Sequence, residues 1–204
     1  MSPYFSERDI EVPQLLNFVD AYSKEITTVL DVGCYGSQYL KELQKRGKIV
    51  DGIDITPGTI EKEVLQNYFV GNAVTYPLGK YDLVICLSTL EHAGIKGYRV
   101  NDFVKEQNFL FKKVVDASKR FIYVTFPYAS TPSLQEGQAV NMTRNRLDEF
   151  LKLVPNASYD LRFFFNAVVH DVLGWAEIPH ELADTIPYAP EKGCRCVCIL
   201  EVIL

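Results

Sequence analysis

Short apolar runs alternate along the chain with segments whose apolar residues recur every three or four positions. The short runs are typical of buried strands, and the other segments are typical of helices that bury one face. This alternation favours an α/β fold in which a mostly parallel sheet is covered by helices on both faces. We interpret the 204 residues as a single domain, 1–204, that opens with an N-terminal helical segment, 1–26.

Seven runs are apolar enough to be predicted as strands, and helices are predicted between them. Pro13 is placed in a first helical turn, where its missing N–H costs nothing, and Asp102 and Thr143 are predicted to cap later helices. The predicted strands are Thr28–Val32, Ile49–Ile55, Tyr68–Val70, Leu83–Leu87, Phe121–Phe126, Asp160–Phe165 and Cys194–Ile203. The predicted helices are Pro13–Tyr22, Ser37–Arg46, a stripe of Ile60, Val64 and Tyr68, Asp102–Ala117, and a segment after Thr143 with Leu147, Phe150, Leu151 and Val154 inward.

Two stretches show neither period, 128–142 and 167–193. Long irregular segments inside a compact domain are usually functional or mobile. We therefore predict that both stretches are loops, and that together they form a lid over an acceptor site.

Charge and composition argue against several classes of protein. The net charge of -5 supplies no long-range field for nucleic acid or an anionic membrane, so neither is an expected partner. No apolar run approaches the roughly 20 residues of a membrane helix, and the first residues do not resemble a signal peptide. The five cysteines, among them the alternating Cys194, Cys196 and Cys198, are expected to be small apolar residues of a reduced, cytoplasmic protein.

The first candidate ligand site is the turn after the first strand, Val29-Leu30-Asp31-Val32-Gly33-Cys34-Tyr35-Gly36-Ser37. Gly33 lets the backbone turn sharply and approach a ligand without a Cβ in the way. The helix that follows presents free backbone N–H groups. Because strand–glycine–helix turns occur in many folds, this motif predicts a ligand site without identifying the ligand.

The second candidate is Asp54, which closes the second strand 21 residues after Gly33. A carboxylate at that distance from a glycine turn can accept both hydroxyl groups of an adenosine ribose. The alternative is an ordinary solvated aspartate at a strand end. The two motifs together do not distinguish one adenosine-containing cofactor from another.

Two further motifs complete a pattern. Gly71-Asn72-Ala73 follows the third strand, and Tyr81 to His92 spans the fourth strand and ends in Leu90-Glu91-His92. With the glycine turn and Asp54, they resemble class I S-adenosylmethionine-dependent methyltransferases, whose pattern is a D-x-G-C-G-x-G-like loop, an acidic end to strand two, a G-D-A-like turn, and F-D-x-V followed by x-x-L-E-H. The resemblance covers 29–92 well, and the order of helices and strands extends it to nearly the whole chain.

The resemblance implies a Rossmann-like methyltransferase fold, with a seven-stranded, mostly parallel sheet whose last strand is antiparallel and lies between strands five and six. It also implies an enzyme whose cofactor is S-adenosyl-L-methionine, with no metal. The implied cofactor-binding residues are Asp31, Gly33, Cys34, Tyr35, Gly36, Asp54, Ile55, Asn72, Ala73, Leu87 and Ser88.

The chain departs from the family pattern at three places. Tyr35 stands where the second glycine is usual, and Gly36 follows one position later. Asn72 replaces the usual aspartate, so the adenine amino group is expected to meet an amide oxygen. The helix before strand five ends Ala117-Ser118-Lys119-Arg120, without the common Pro-Gly-Gly.

The acceptor is less strongly indicated than the cofactor. Ser88–Gly94 and Thr125–Tyr128 resemble a subgroup associated with polysaccharide and glycan biosynthesis, which implies a small polar acceptor such as a sugar hydroxyl or a glycan intermediate. Transfer to nucleic acid or protein stays open, although no Asn/Asp-Pro-Pro-Tyr motif follows strand four. A non-catalytic member of the fold that only binds the cofactor stays open as well, and the sequence predicts no oligomeric state.

His92 is the candidate catalytic base, because it follows strand four at the edge where ligands bind such sheets. The alternative is that His92 only packs against the cofactor. Glu91 is expected to hold the loop, and Tyr128 to shape the acceptor pocket. His170, Asp171 and His180 have a spacing that matches no standard metal site.

Overall fold

The computed structural model describes residues 6–58, 61–94, 103–132, 140–169, 172–188 and 195–204. Within these residues, eight strands form one mixed sheet in the order β3-β2-β1-β4-β5-β8-β6-β7. The strands are β1 (Thr28–Val32), β2 (Ile49–Asp54), β3 (Asn67–Val70), β4 (Tyr81–Leu87), β5 (Ser118–Pro127), β6 (Ser158–Val169), β7 (Val172–Ile178) and β8 (Cys196–Ile203).

The first five strands, β1 to β5, run parallel to one another. The last strand, β8, is antiparallel and lies between β5 and β6. This arrangement confirms the predicted α/β class, the mostly parallel sheet and the position of the antiparallel final strand. It also places the carboxyl ends of β1, β2, β3 and β4 along one edge of the sheet, where ligands bind in folds of this class.

The predicted number of strands, seven, is wrong, because β7 adds an eighth that pairs antiparallel with β6. It lies within 167–193, so this part of the predicted loop is a hairpin. The pattern of β7 does not predict a strand, because Gly174 and Glu177 interrupt its apolar residues. The strand forms nevertheless, because its backbone hydrogen bonds to the edge of the sheet do not depend on side chains. In the other stretch, Tyr128 forms an isolated bridge with Met142, and 133–139 lie outside the described residues. The role of both stretches as a lid stays a prediction.

The helices of the described residues lie on both faces of the sheet. They are α1 (Arg8–Ala21), α2 (Leu40–Lys45), α3 (Glu61–Val64), α4 (Phe103–Ala117), α5 (Arg144–Leu151) and α6 (His180–Ala183), and a 3-10 turn, Leu90–His92, follows β4. None of these helices combines the length and the apolar character that crossing a membrane requires.

The start of α1 lies before the predicted one, so the placement of Pro13 in a first helical turn is wrong. Asp9 Oδ2 accepts the backbone N–H of Ser6 at 2.8 Å, and Ser6 Oγ accepts the backbone N–H of Arg8 at 3.2 Å. This reciprocal pair resembles a capping box and starts the helix ahead of the proline. Pro13 then occupies an interior position, where it removes one helical hydrogen bond.

The other helix boundaries differ from the predictions by smaller amounts. The second helix is shorter than the predicted Ser37–Arg46, and Tyr68, placed on a helical stripe by its spacing, lies in β3. Thr143 precedes α5 in an extended conformation, but its side chain makes no capping hydrogen bond. Asp102 lies outside the described residues, so its predicted cap is untested.

Two apolar layers hold the helices on the sheet, one on each face. Successive side chains of a strand point to opposite faces, so β8 contributes Cys196 and Cys198 to one layer and Val197 and Ile199 to the other. Each fully buried large apolar side chain contributes roughly 1.5–3 kcal/mol relative to an exposed one. The layer under α4 and α5 contains Phe111, Val114, Leu147 and Phe150, and the layer under α1 and α2 contains Leu15, Phe18, Leu40 and Leu43.

The described cysteines, Cys34, Cys86, Cys196 and Cys198, are buried, and no two of them form a disulfide. Burial raises the pKa of the Cys196 thiol to about 12. These thiols are therefore held in the protonated form, which is the unreactive one. Cys194 lies outside the described residues.

Candidate functional site

A cavity of about 200 Å³, open to solvent, lies at the carboxyl ends of β1, β2, β3 and β4. It brings together residues from all of the sequence motifs, which lie far apart along the chain. Of the predicted site residues, its lining includes Gly33, Asp54, Ile55, Asn72, Ala73 and His92.

Gly33 turns the chain at the end of β1 in a conformation that favours glycine, with φ of 84°. Its N–H donates to the carbonyl of Ile53 at 2.9 Å, which draws the turn across the end of β2. A Cβ on this residue would come within 2.2 Å of Thr89 Oγ1. The position is therefore closed to any larger residue, and the backbone here is exposed to the cavity.

The departure at Tyr35 leaves the turn intact. Gly36, one position later, has φ of 76°, whereas Tyr35 does not require a left-handed conformation. The Tyr35 side chain is 58% exposed, and its backbone N–H donates to Asp54 Oδ2 at 3.1 Å. Cys34, which precedes it, is buried against Gly52 of β2 and does not line the cavity.

Asp54 forms the rim of the cavity at the end of β2. Its Oδ1 accepts the backbone N–H of Thr56 at 2.7 Å, and its Oδ2 accepts that of Tyr35. An ionised carboxylate has about four acceptor positions, so this one is fixed in place while it retains capacity for ligand hydroxyls. Ile55, the next residue, is 72% exposed and lines the same cavity.

Asp51, three residues earlier on β2, has a different environment. Its Oδ1 accepts the Nδ2 of Asn67 at 2.9 Å, and its Oδ2 accepts the hydroxyl of Tyr81 at 2.8 Å. It joins β2 to the beginnings of β3 and β4 and does not line the cavity. Asp51 therefore serves as a natural control for Asp54.

Asn72 and Ala73 lie in the turn after β3. The amide oxygen of Asn72 accepts the backbone N–H of Val74 at 2.9 Å, and the Asn72 carbonyl accepts the N–H of Tyr76 at the same distance. These bonds fold the turn over the cavity and fix the orientation of the Asn72 side chain.

Asp31, inside β1, is completely buried behind the glycine turn. Its Oδ1 accepts the hydroxyl of Tyr39 at 2.7 Å, and its Oδ2 has no hydrogen-bond partner among the described residues. Burial raises the pKa of Asp31 to about 6, against the opposing effect of the Tyr39 hydroxyl. A donor supplied by a ligand would satisfy the remaining oxygen.

Leu87 ends β4 and Ser88 follows it under the N-terminal helix, and neither of these predicted cofactor contacts lines the cavity. Ser88 has φ of 39°, the non-glycine residue of the described chain with a left-handed backbone. Its Oγ donates to Glu11 Oε1 at 2.5 Å, and the Leu87 carbonyl accepts Nη2 of Arg8 at 3.4 Å. Strained backbone of this kind persists only where the surrounding contacts impose it.

Glu11 and Arg8 also lie at the carboxyl edge of the sheet, and the sequence alone did not indicate them as site residues. Glu11 is fully buried, pairs with Nη1 of Arg8 at 2.6 Å, and also accepts Thr125 Oγ1 at 2.5 Å. It therefore joins the ends of β4 and β5 to α1. The available signal was the i, i+3 spacing of an arginine and a glutamate on a helix, but that spacing is usual on solvated faces.

Glu91 and His92 occupy the 3-10 turn after β4 with opposite exposure. The Glu91 side chain is 2% exposed and the His92 side chain 59%, and 4.0 Å separates Glu91 Oε1 from His92 Nε2. Glu91 Oε2 has no hydrogen-bond partner among the described residues, and burial raises its pKa well above the ordinary range, as do Glu7 and Glu11. His92 lines the cavity, a position compatible with both a base and a packing role.

A second polar cluster lies past β5, on the face covered by α5 and α6. Tyr128 is buried, its hydroxyl donates to Asp184, and its ring packs edge-on against Phe163. His180 stacks on Phe163 at 4.4 Å and contacts Arg144. Tyr128 does not line the cavity, so its predicted role toward the acceptor stays a prediction.

The absence of a metal from the site stays a prediction. Among the described residues, no group of three or more histidine, cysteine, aspartate or glutamate side chains suits a metal ion. His170 and Asp171 lie outside those residues.

Comparison with known proteins relates this geometry to a family. Residues 30–113 match the family model described as a methyltransferase domain. The chain is 31% identical over 124 residues to a ubiquinone biosynthesis O-methyltransferase of Shewanella halifaxensis. The aligned region covers 53% of this chain and 52% of that protein. The chain thus spans about half the length of this curated relative.

Solved structures extend the similarity to nearly the whole chain at the level of the fold. Magnesium protoporphyrin IX methyltransferase from Synechocystis, with bound SAM, superimposes with a TM-score of 0.59 at 18% identity, over 94% of this chain and 77% of that one. A toxoflavin-precursor N1-methyltransferase from Burkholderia thailandensis gives 0.59 at 10% identity, over 95% and 78%. Residues 30–113 are thus similar to a methyltransferase domain, and the chain has the Rossmann-like fold found in S-adenosylmethionine-dependent methyltransferases.

Proposed function

We propose that this chain is an enzyme that transfers a methyl group from S-adenosylmethionine to a hydroxyl group of a small molecule. The observation that carries the proposal is the meeting of the Gly33 turn and the Asp54 carboxylate in one cavity at the carboxyl ends of parallel strands. A cofactor containing adenosine needs this combination of close backbone approach and a fixed acceptor for ribose hydroxyls.

The residues at this edge fit that cofactor. Because Gly33 has no Cβ, its backbone can lie against Thr89 and face the ligand. The Asp54 carboxylate can accept further hydrogen bonds besides the two that it accepts from backbone N–H groups. The buried Asp31 Oδ2 has no donor in the described ranges of the chain, and the ammonium group of a methionine moiety would supply one. A buried carboxylate oxygen without a partner is costly, so a cationic ligand group at this point is favoured.

S-adenosylmethionine, when bound, supplies an electrophilic methyl group whose leaving group is a neutral thioether. The chain's own residues then have to bind the cofactor, orient the acceptor and remove the proton of its hydroxyl group. Fixing the reacting groups in line contributes roughly 7–11 kcal/mol, and a base for the hydroxyl proton adds about 10²–10⁴-fold. His92 is the candidate for the base, because its exposed imidazole lines the cavity just past β4.

The acceptor is proposed as a small hydroxyl compound on two grounds. The chain carries a net charge of -5, which disfavours nucleic acid, and the sequence relative is named as an O-methyltransferase. The narrower prediction of a sugar or glycan hydroxyl rests on the resemblance of Ser88–Gly94 and Thr125–Tyr128, and the compared proteins named here do not support it. Ubiquinone precursors are therefore the first acceptors to test, followed by nucleotide sugars.

A cofactor-binding protein without turnover is the second candidate. The departure at Tyr35 in the glycine turn favoured this non-catalytic alternative. However, Gly33 and Gly36 provide the two left-handed positions, so the turn does not depend on a glycine at position 35. The enzyme proposal therefore comes first.

Calorimetry and labelled methyl transfer test the proposal together. Titration with S-adenosylhomocysteine is expected to show one site per chain, and NAD is expected to give no response. Transfer of a labelled methyl group is then measured with ubiquinone precursors, nucleotide sugars, tRNA and protein extracts. Tight binding of NAD alone would overturn the cofactor, label in RNA or protein alone would overturn the acceptor class, and binding without transfer would favour the second candidate.

A further inference from the structure

We propose that Glu11 is a positioning residue for the methyl transfer, because it holds the strained backbone of Ser88 and thereby sets the path of the turn that carries His92. The inference rests on the proposed function and deepens it, since His92 is the base proposed there. It concerns a buried carboxylate of α1 that does not itself line the cavity.

The Glu11 carboxylate is surrounded by donors from α1, from the end of β4 and from β5. Its Oε1 accepts the hydroxyl groups of Ser88 and Thr125, both at 2.5 Å, and its Oε2 accepts Arg8 Nη1 at 2.6 Å. Glu7 Oε2, at 3.2 Å, is the more distant neighbour of the Ser88 hydroxyl. Hydrogen bonds to a buried charged group are strong, so Glu11 is a fixed acceptor that α1 places over the strand ends.

Ser88 is held in a conformation that serine does not prefer. Its φ of 39° lies in the left-handed region, where a residue with a Cβ is strained. Its hydroxyl donates to Glu11, and its backbone N–H donates to the Thr125 carbonyl at 3.0 Å and to the Thr125 hydroxyl oxygen at 3.1 Å. Since the Thr125 hydroxyl donates in turn to Glu11, the side chain and the backbone of Ser88 both depend on this one carboxylate.

The conformation of Ser88 sets the direction of the residues that follow it. Thr89 and His92 line the cavity, and the His92 N–H donates to the Thr89 carbonyl at 3.1 Å to close the 3-10 turn between them. Thr89 also occupies the space that a Cβ on Gly33 would need, so the turn is packed directly against the glycine turn. A change in the backbone of Ser88 would therefore move the His92 imidazole relative to the acceptor hydroxyl.

Two substitutions at position 88 separate positioning from tethering. Ser88→Ala and Ser88→Gly both remove the hydroxyl that Glu11 binds, but only glycine adopts the left-handed conformation without strain. If Glu11 matters because it holds this conformation, glycine at position 88 replaces its effect and alanine does not. If Glu11 matters only because it tethers α1 to the strands, neither substitution restores what the loss of Glu11 removes.

The test starts from Glu11→Met, which keeps the length of the side chain and removes its acceptors. Release of the strain at Ser88 is expected to reduce the competent conformation by roughly 10-fold. Hydrogen exchange of the His92 and Ala93 amide groups is then about 10-fold faster, and single-turnover transfer of a labelled methyl group to a ubiquinone precursor is about 10-fold slower. Adding Ser88→Gly is expected to restore both to within about 3-fold of the native chain, and adding Ser88→Ala to restore neither.

Tyr123→Phe is the matched control for the docking of α1. The Tyr123 hydroxyl donates to the backbone carbonyl of Glu11 at 3.4 Å, so its removal weakens the contact between α1 and β5 without changing the bonds to Ser88. This variant is expected to leave hydrogen exchange and rate within about 2-fold of the native chain.

If Glu11→Met does not fold, Ser88→Ala and Ser88→Gly in the otherwise native chain decide the question, with the larger change expected in the alanine variant. Equal behaviour of the glycine and alanine variants would overturn this inference alone. Absence of transfer by the native chain would overturn the proposed function, and hydrogen exchange would still decide whether Glu11 holds the turn.

Discussion

The carboxylates at the two edges of the parallel sheet differ in the number of hydrogen-bond donors that surround them. At the amino edge, Asp82 Oδ2 accepts the backbone N–H of Thr27 at 3.1 Å and both the N–H and the hydroxyl of Thr28, at 2.8 Å and 2.9 Å, while Lys119 approaches Oδ1 at 3.1 Å. At the carboxyl edge, Asp31 and Glu91 are buried, and one oxygen of each lacks a hydrogen-bond partner among the described residues.

The pKa values follow this difference. Partial burial of Asp82 opposes ionisation, but the donors from Thr28, Lys119 and Thr27 outweigh it and lower its pKa to about 2. Burial raises the pKa of Asp31 to about 6 and that of Glu91 well above its ordinary range. The amino edge therefore stabilises the fold, whereas the carboxyl edge retains strained carboxylates, which is the pattern of a site that depends on its ligand.

The largest effect on cofactor affinity is expected at Asp54, whose carboxylate lines the cavity at the carboxyl edge and can accept further hydrogen bonds. If Asp54 binds the ribose as proposed, Asp54→Ala removes two charge-assisted hydrogen bonds, each worth roughly 1.5–3 kcal/mol, so affinity for S-adenosylhomocysteine is expected to fall by about 10²-fold or more. Asp51→Ala, its neighbour on β2, contacts Asn67 and Tyr81 outside the cavity and is expected to affect stability rather than affinity. Calorimetry on both variants measures this, and equal losses of affinity would contradict the contrast between the two positions.

His92 is expected to matter for rate rather than for affinity. If it accepts the proton of the acceptor hydroxyl, His92→Ala lowers the single-turnover rate by about 10²-fold at saturating cofactor while the cofactor still binds. The packing alternative predicts the reverse, a weaker affinity and a nearly unchanged saturated rate. Rapid-quench measurement at saturating cofactor separates them, and an unchanged rate would leave positioning as the main source of catalysis.

Asp82 is expected to affect stability alone. Its folded pKa of about 2 lies below the ordinary value near 3.9, so its contribution is complete above pH 4 and is lost as the pH falls through 2. Asp82→Asn is expected to lower the free energy of unfolding at pH 7 by about 1–2 kcal/mol and to flatten its dependence between pH 4 and 2. Urea unfolding across this range measures it, and a change in affinity for S-adenosylhomocysteine would show that the two edges are not separate.

The smallest expected effect, and the one of opposite sign, is at Asp31. Its folded pKa of about 6 lies above the ordinary value, so it destabilises the fold increasingly as the pH rises from 4 through 6. Asp31→Asn is expected to raise the free energy of unfolding at pH 7 by about 1 kcal/mol, with no gain below pH 4. The same change is expected to weaken cofactor binding, and a variant that loses stability at pH 7 would contradict the assignment of this carboxylate as strained.

The sequence predicted the elements that local pattern encodes. The first strand, Thr28–Val32, has the predicted bounds, and the second begins at the predicted residue and carries Asp54 at its end. Gly33 and Asn72 follow strands as predicted, and the structure places both at one cavity. Such features can be predicted because apolar runs and turn chemistry depend on residues that are close in the sequence.

Other parts of the site could not be predicted from the sequence. Glu11 contacts Thr125, which is 114 positions away, and no periodicity within α1 indicates which strand ends the helix covers. The hydrogen bond from the Val74 N–H to the Asn72 side-chain oxygen depends on the conformation of the turn, which the residue type alone does not indicate.

The sequence by itself determined the parallel sheet, the glycine turn and the order of the residues around the cavity. The tertiary structure decided that β7 extends the sheet and that α1 covers the ends of β4 and β5. It also decided that Asp31 and Glu91 are buried with oxygens that find no partner within the described part of the chain, whereas both oxygens of Asp82 have donors. The physical reason is that periodicity is a property of neighbouring residues, whereas desolvation and the supply of donors to a carboxylate arise only when distant segments come together.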